Sequence, residues 1–322
     1  MELLVLRDDI HAQSSERLAA LLREQLPEHT VNRAGTPAAE RELIETADVA
    51  VGLRIDDRLL EAAEELEVFA CAYAGYGHLP LAALDAAGVR VTTAAGVHTI
   101  PAAEHAVGMA LTLSRKIDES IRAEEWNHQI PRELAGSTAT IVGLGAIGAS
   151  IAERLDAFGV HTIGIRRRPA KGGPTDEVLG PGELHDALGR SSLVILCCPL
   201  TEDTRGLVST EEFVTMPPEA HLVNVARGQV VDTDALLSAL QRDVIEAAAL
   251  DVTDPEPLPQ EHPLWDRSDA IVTPHVAGST AKYYDRLAEI VTENVGRLEA
   301  GQRLRNEVEI EGDIDGDSPR GE

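Results

Sequence analysis

The chain has 322 residues, 43 % of them hydrophobic, with 55 acidic against 28 basic side chains and a formal net charge of −27. That balance excludes nucleic acid and anionic membrane surfaces as natural partners, because both require a basic footprint. No apolar run approaches the ~20 residues of a membrane span, so a cytoplasmic protein is expected. Lysines are confined to Lys116, Lys171 and Lys282, leaving 28 − 3 = 25 arginines. Like charge on this scale strains a compact state. The screening length falls to about 3 Å in molar salt, so we read the composition as an adaptation to high salt. Cys71, Cys197 and Cys198 are an odd count with an adjacent pair. They read as small buried hydrophobes in a reducing compartment rather than a disulfide framework.

In chain order, "MELLVLRDDI" opens on a short apolar run followed by acids and reads as a first strand, not a signal peptide. A helix over "SSERLAALLREQL" follows, then the strand "DVAVGLR" and a helix over "DRLLEAAEEL". Next come the strand "VFACAYA", a glycine turn, the helix "PLAALDAAG" and the strand "VRVTTAAG". Strand and helix in alternation imply a parallel sheet covered by helices. From Thr99 the run "TIPAAEHAVGMALTLSRKIDESI" reads as one long helix with a broad apolar face, buried or at an interface. His98, Thr99, Glu104 and His105 open it and read as capping and packing residues. A second alternating series starts at Thr138 and reaches about Pro274. The helix "AKYYDRLAEIVTENVGRLEAG" closes the fold.

"IVGLGAIG" places Gly143, Gly145 and Gly148 in a G-x-G-x-x-G pattern, after the strand-like "STATIV" and at the opening of a helix. That context makes it a dinucleotide site. Gly143 serves the tight turn, Gly145 the close approach of a pyrophosphate and Gly148 helix–strand packing, with Ala146 and Ile147 completing the phosphate-facing turn. The next strand, "VHTIGI", ends at Arg166, 166 − 143 = 23 residues past the first glycine. An acid that binds the ribose hydroxyl is usual near this spacing. Arg166, Arg167 and Arg168 stand there instead. A guanidinium grips a phosphate with paired hydrogen bonds, so Arg166 and Arg167 predict preference for NADPH, with NADH possible.

Three later segments place chemistry at strand C-termini, the edge where open α/β sheets bind ligands. "HLVNVARGQVVDTDAL" puts Arg227 beside Gly228, "AAALDVTDPEPLP" ends a strand at Asp251 and carries Glu256 between prolines, and "DAIVTPHVAGST" places His275 just past a strand. With "AEHAVGMALTLSR" and "CCPLTEDTRGLV", these stretches resemble the D-isomer-specific 2-hydroxyacid dehydrogenases, from about residue 45 to 305. That family includes glyoxylate/hydroxypyruvate reductases and phosphoglycerate dehydrogenase.

The resemblance implies Arg227, Glu256 and His275 as the catalytic trio. The chemistry agrees. Arg227 can bind a carboxylate and polarise a ketone, His275 can donate a proton to the reduced oxygen, and Glu256 can orient the imidazole. The resemblance also implies that the N–H groups of Ala74 and Gly75, in "AYAGYGHLP", hold the substrate carboxylate. Gly77 occupies a position where the family often has Asp. Arg54, ending "DVAVGLR", is a further substrate candidate, and Pro199 is expected to bound the adenine pocket beside Asp251 among the cofactor-binding residues. Glu256 argues against a formate dehydrogenase.

The expected fold class is α/β, two Rossmann-like or flavodoxin-like parallel-sheet domains with a cleft between them. Residues 1–98 with 287–310 form the substrate-binding domain and 99–286 the NAD(P)-binding domain. The acidic tail 311–322 is expected to be disordered. The expected activity is reduction of a small 2-oxoacid (glyoxylate, hydroxypyruvate or a branched 2-oxoacid) in a homodimer built on the 99–120 helix, without a metal. A nucleotide-sensing corepressor of the same fold and an NAD-linked phosphoglycerate dehydrogenase are the competing readings.

Overall fold

Two α/β units appear in the computed structural model, which describes residues 1–10, 13–126 and 128–309. One comprises Met1–Val97 and the chain from Thr280 onward, the other His98–Ser279. The first unit runs β1 (Glu2–Val5), α1 (Ser15–Gln25), β2 (Thr30–Arg33), α2 (Pro37–Leu43), β3 (Val49–Gly52), α3 (Asp57–Glu61), β4 (Val68–Cys71), α4 (Leu81–Ala86) and β5 (Arg90–Thr92). Its five strands are all parallel, in the order β2-β1-β3-β4-β5. The central strands β3 and β4 are buried at every residue, as continuous apolar runs are when helices cover both faces. Leu3, Val49, Val51 and Val68 pack on one face, and Leu4, Ala50, Phe69 and Val91 on the other.

Ser14, Thr36 and Asp56 cap α1, α2 and α3, each accepting from a backbone N–H of the first turn. β2 and α2 carry too little apolar pattern to be read from sequence, since β2 is an edge strand with only one buried residue. α3 ends at Glu61, short of the helix read over "DRLLEAAEEL". Glu61, Glu64 and Glu65 would crowd the negative end of a longer helix.

The second unit runs α5 (Thr99–Ser114), α6 (Ile117–Arg122), β6 (Thr138–Val142), α7 (Ala146–Asp156), β7 (His161–Ile165), β8 (Glu177–Leu179), α8 (Leu184–Gly189), β9 (Leu193–Leu196), α9 (Thr210–Thr215), β10 (His221–Asn224), α10 (Thr233–Gln241), β11 (Ala247–Leu250) and β12 (Ala270–Val272). The single helix read from Thr99 is thus two. The break falls at Lys116, left-handed at φ 51°, whose ammonium lies 3.1 Å from Glu119 and 3.7 Å from Glu246.

The seven parallel strands run β12-β11-β10-β9-β6-β7-β8, the dinucleotide-binding order with one added strand, and its switch point lies between β6 and β9. Alternate residues face opposite layers. Val194 and Leu196 pack with α8, α9 and α10, and Leu193 and Ile195 with α5 and α7. Register makes the C-terminal edge level, because Leu179, Ile165, Val142, Leu196, Asn224, Leu250 and Val272 pair in one continuous line across the sheet. Whatever follows those residues therefore emerges side by side.

α11 (Tyr283–Glu299) belongs to the first unit. The chain re-enters that unit at Thr280, earlier than the 287 read from sequence. The reason is local. Tyr283 and Tyr284 are fully buried there. The Tyr283 hydroxyl donates to the Ala72 carbonyl. Tyr284 accepts from the Ile10 N–H at 3.0 Å and donates to the Gln13 carbonyl at 2.9 Å. The tail 311–322 lies outside the described residues.

Candidate active site

The turn after β6 is built around Gly143, at φ 104°. A side chain there would also meet the backbone of Cys198 at 2.7 Å, so β6 and the chain leaving β9 approach as only glycine permits. At Gly148 a Cβ would lie 1.9 Å from the Gly143 carbonyl oxygen, which brings the first turn of α7 down onto the glycine turn. Gly145 is the N-cap of α7 and has no side-chain cap, so the helix begins with Ala146 and Ile147 presenting backbone N–H groups. An uncapped helix start over a turn too tight for a Cβ fits a pyrophosphate. Pro199 follows β9 across the switch point, and its carbonyl accepts from Thr204 Oγ1 at 2.7 Å.

Arg166 is the first residue past β7. It is half-buried, and its guanidinium donates to the Gly172 carbonyl of its own loop. That loop is closed by backbone bonds from Lys171 N to Arg168 O and from Gly172 N to Pro169 O. Arg167 and Arg168 are exposed on it. Arg166 is therefore held in place beside the glycine turn, with one of its five donors spent on the loop.

Arg227, Asp251 and His275 follow β10, β11 and β12, neighbouring strands that end level. Buried Asn224 shapes the first loop, accepting from Ala226 N at 3.0 Å and donating to the Arg227 carbonyl at 3.1 Å. The Arg227 guanidinium donates to the Ala226 carbonyl at 2.7 Å. Gly228 then passes under the next loop. A Cβ there would lie 1.9 Å from the Thr253 carbonyl oxygen, so the chain bearing Arg227 and the chain leading to Glu256 touch backbone to backbone.

His275 Nδ1 lies 2.5 Å from Glu256 Oε1, and both side chains are nearly half exposed, at 48 % and 42 %. Nδ1–H donates to the carboxylate, so the pair engages Nδ1 and not Nε2. The backbone beneath is strained, since His275 sits in the left-handed region at φ 52°. Such residues cost ~1–3 kcal/mol and persist only when their surroundings hold them.

The holder is Asp251, 2 % exposed. Its carbonyl accepts from His275 N at 2.8 Å. Its Oδ1 accepts from Val276 N at 2.9 Å and its Oδ2 from Ala277 N at 2.8 Å. One buried acid thus binds three consecutive N–H groups, and Thr273 Oγ1 donates to its Oδ1 at 2.5 Å. The sequence placed Asp251 among cofactor-binding residues. The structure adds this grip on the histidine loop, which only the strand register could have disclosed.

In the first unit, Arg54 is exposed after β3, and Ala74 and Gly75 are half-buried after β4. His78 donates from Nε2 to the Leu53 carbonyl at 2.7 Å, tying the two strand-end loops together. Tyr283 supports the second loop through Ala72.

The Cys197 thiol donates to the Gly143 carbonyl at 3.1 Å, beneath the glycine turn. Burial pushes the Cys71 and Cys198 thiols up to about 11, so neither is a nucleophile at neutral pH. Among the described residues no group of three or more His, Cys, Asp or Glu is arranged to hold a metal ion. No helix among them is long and apolar enough to cross a membrane.

Residues 107–277 match the family described as D-isomer specific 2-hydroxyacid dehydrogenase, NAD binding domain. The chain is 36 % identical over 256 residues to a glyoxylate reductase of Thermofilum pendens, covering 75 % of this chain and 74 % of that protein. It is 33 % identical over 293 residues to a D-3-phosphoglycerate dehydrogenase of Mycobacterium leprae. That match covers 89 % of this chain and 54 % of the relative, so the chain spans about half that protein's length. A D-isomer specific 2-hydroxyacid dehydrogenase of Xanthobacter autotrophicus, solved in complex with NADPH and MES, is 28 % identical. It covers 96 % of this chain and 98 % of that one with a TM-score of 0.77.

Proposed function

The chain belongs to the D-isomer-specific 2-hydroxyacid dehydrogenase family, NAD(P)-dependent oxidoreductases, and we propose that it reduces a short-chain 2-oxoacid with a preference for NADPH. The observation that carries the reading is the His275–Glu256 pair, on a loop gripped by Asp251 and level with Arg227. A 2-oxoacid presents a carboxylate beside a ketone. Arg227 binds the carboxylate and stabilises the negative charge that develops on the ketone oxygen. His275 delivers a proton from Nε2 to that oxygen, and Glu256 fixes the ring through Nδ1. The reverse direction uses the same groups with His275 as base.

The dinucleotide, when bound, supplies the hydride. Gly143, Gly145, Ala146, Ile147 and Gly148 would hold its pyrophosphate, Arg166 and Arg167 the 2′-phosphate and Pro199 the adenine side, with Asp251 also among the cofactor-binding residues. Arg54 and the amides of Ala74 and Gly75, on strand-end loops of the first unit, are assigned to substrate recognition. We further assign the chain to a salt-adapted cytoplasm and to a homodimer through the 99–120 region. Ile117 within it is 43 % exposed, and Ile121 and Trp126 just past it are 78 % and 93 % exposed.

The test is loss of NADPH and NADH absorbance with glyoxylate, hydroxypyruvate and branched 2-oxoacids in molar KCl. Turnover with at least one, faster with NADPH, is expected. Tight NADPH binding with no turnover across the panel would replace this reading with a nucleotide-sensing binding protein. A preference for NAD and phosphoglycerate would point to the dehydrogenase of that substrate.

A further inference from the structure

We propose that His105 is a positioning residue for the proton-transfer loop, acting through Thr273 and Asp251; this rests on the assignment of His275 as proton donor. His98 and His105 are seven residues apart, two turns along the start of α5, and so share one face of it. Both reach the 273–279 loop. His98 donates from Nδ1 to the Gly278 carbonyl at 2.8 Å. His105 Nε2 lies 3.1 Å from Thr273 Oγ1 and 3.5 Å from Asp251 Oδ1.

Hydrogen-bond inventory fixes the direction of the chain. A carboxylate only accepts, so the Thr273 hydroxyl hydrogen is committed to Asp251 at 2.5 Å. The Thr273 oxygen is then an acceptor, and His105 must supply Nε2–H. The relay runs His105 to Thr273 to Asp251, and the Asp251 carboxylate takes the N–H groups of Val276 and Ala277, the two residues that follow strained His275. The bond to Thr273 thus selects the ring form that carries Nε2–H.

Without His105 the Thr273 hydroxyl loses the partner that fixes its rotamer. Asp251 then holds a loop whose left-handed residue relaxes toward ordinary backbone. The proton donor is displaced while the glycine turn and arginine loop are untouched. Displacements of ~1 Å at a reacting group cost up to ~100-fold in rate, and a relay three hydrogen bonds removed is expected to cost about tenfold.

Four variants test this: His105→Ala, His105→Gln, Thr273→Val and the His105→Ala/Thr273→Val double. We expect kcat to fall about tenfold in His105→Ala with NADPH Kd within threefold of wild type. His105→Gln, whose amide can donate to Thr273, should restore kcat to within about threefold. The double variant should lose no more than the worse single. A kcat for His105→Ala within twofold of wild type, failed rescue by Gln, or losses that multiply in the double would each overturn the proposal.

Amide hydrogen exchange at Val276 and Ala277 needs no substrate. Exchange should accelerate in His105→Ala and return toward wild type in His105→Gln, and unchanged exchange would overturn the proposal. If wild type turns over no 2-oxoacid but exchange responds as expected, the reductase reading fails and the buttress stands.

Discussion

Replacing Gly228 by alanine puts one methyl group between the loops that carry Arg227 and Glu256. The added Cβ would sit 1.9 Å from the Thr253 carbonyl oxygen, 2.1 Å from its carbon and 2.7 Å from Asp254 N. Real Cβ contacts do not fall below 3.0 Å, so the loops must part by at least 3.0 − 1.9 = 1.1 Å. Neither side yields easily, because both are backbone. Asp254 is also pinned by Gln229 Nε2 at 3.2 Å and by Thr233 Oγ1, which donates to its carbonyl at 3.1 Å. Gly228 is not left-handed, so the effect is steric and not conformational.

The strain should cost ~1–3 kcal/mol of stability, the usual range for overpacking. The shift separates Arg227 from the chain that carries Glu256, and about 1 Å of misplacement predicts a kcat loss of ~100-fold. The assay is steady-state NADPH oxidation with the best 2-oxoacid, alongside thermal unfolding and NADPH titration by fluorescence. NADPH affinity should hold within about threefold, since the glycine turn after β6 lies two strands away in the sheet. Gly296→Ala, where a Cβ meets nothing within 4 Å, is the control and should leave kcat unchanged. A Gly228→Ala enzyme with kcat within threefold of wild type would refute the claim that these loops set the catalytic geometry.

Other perturbations report on separate parts of the account. Arg166→Asp should weaken NADPH by tenfold or more, ~1.4 kcal/mol, and leave NADH nearly unchanged; equal effects on both would show that the arginine loop does not read the phosphate. Midpoints of chemical unfolding should rise steeply with KCl, because screening relieves a net charge of −27; a flat response would remove the salt-adaptation reading. Burial lowers the His221 pKa from its ordinary 6.5, against the pull of Glu246. Below about pH 6.5 the unfolded chain therefore binds a proton that the fold resists, and stability falls with pH. His221→Gln should flatten that acid loss, and an unchanged slope between pH 7.5 and 5.5 would assign the loss elsewhere.

Much of this was legible in the sequence because it is local. The glycine spacing, the strand before it and the helix after it are contiguous, and Gly143 is left-handed as the turn requires. The pairing of His275 with Glu256 followed from family resemblance and stands at 2.5 Å. What escaped is non-local. Asp251 grips residues 275–277 only because β11 and β12 end level. Asn224 reads as an ordinary strand residue until its carboxamide is seen closing the Arg227 loop at both ends. His105 reads as helix packing until its ring is seen 3.1 Å from Thr273, just past β12. The break at Lys116 was hidden by an apolar pattern that continues through it, and a left-handed lysine leaves no mark on hydrophobic periodicity.

The central claim is that His275 moves the proton in a dinucleotide-linked reduction of a 2-oxoacid. The most direct measurement is kcat and NADPH affinity for His275→Ala beside wild type, with the best oxoacid of the panel in molar KCl. The account predicts a kcat loss of ~100-fold or more with NADPH Kd within about threefold. A variant that turns over at the wild-type rate would contradict it.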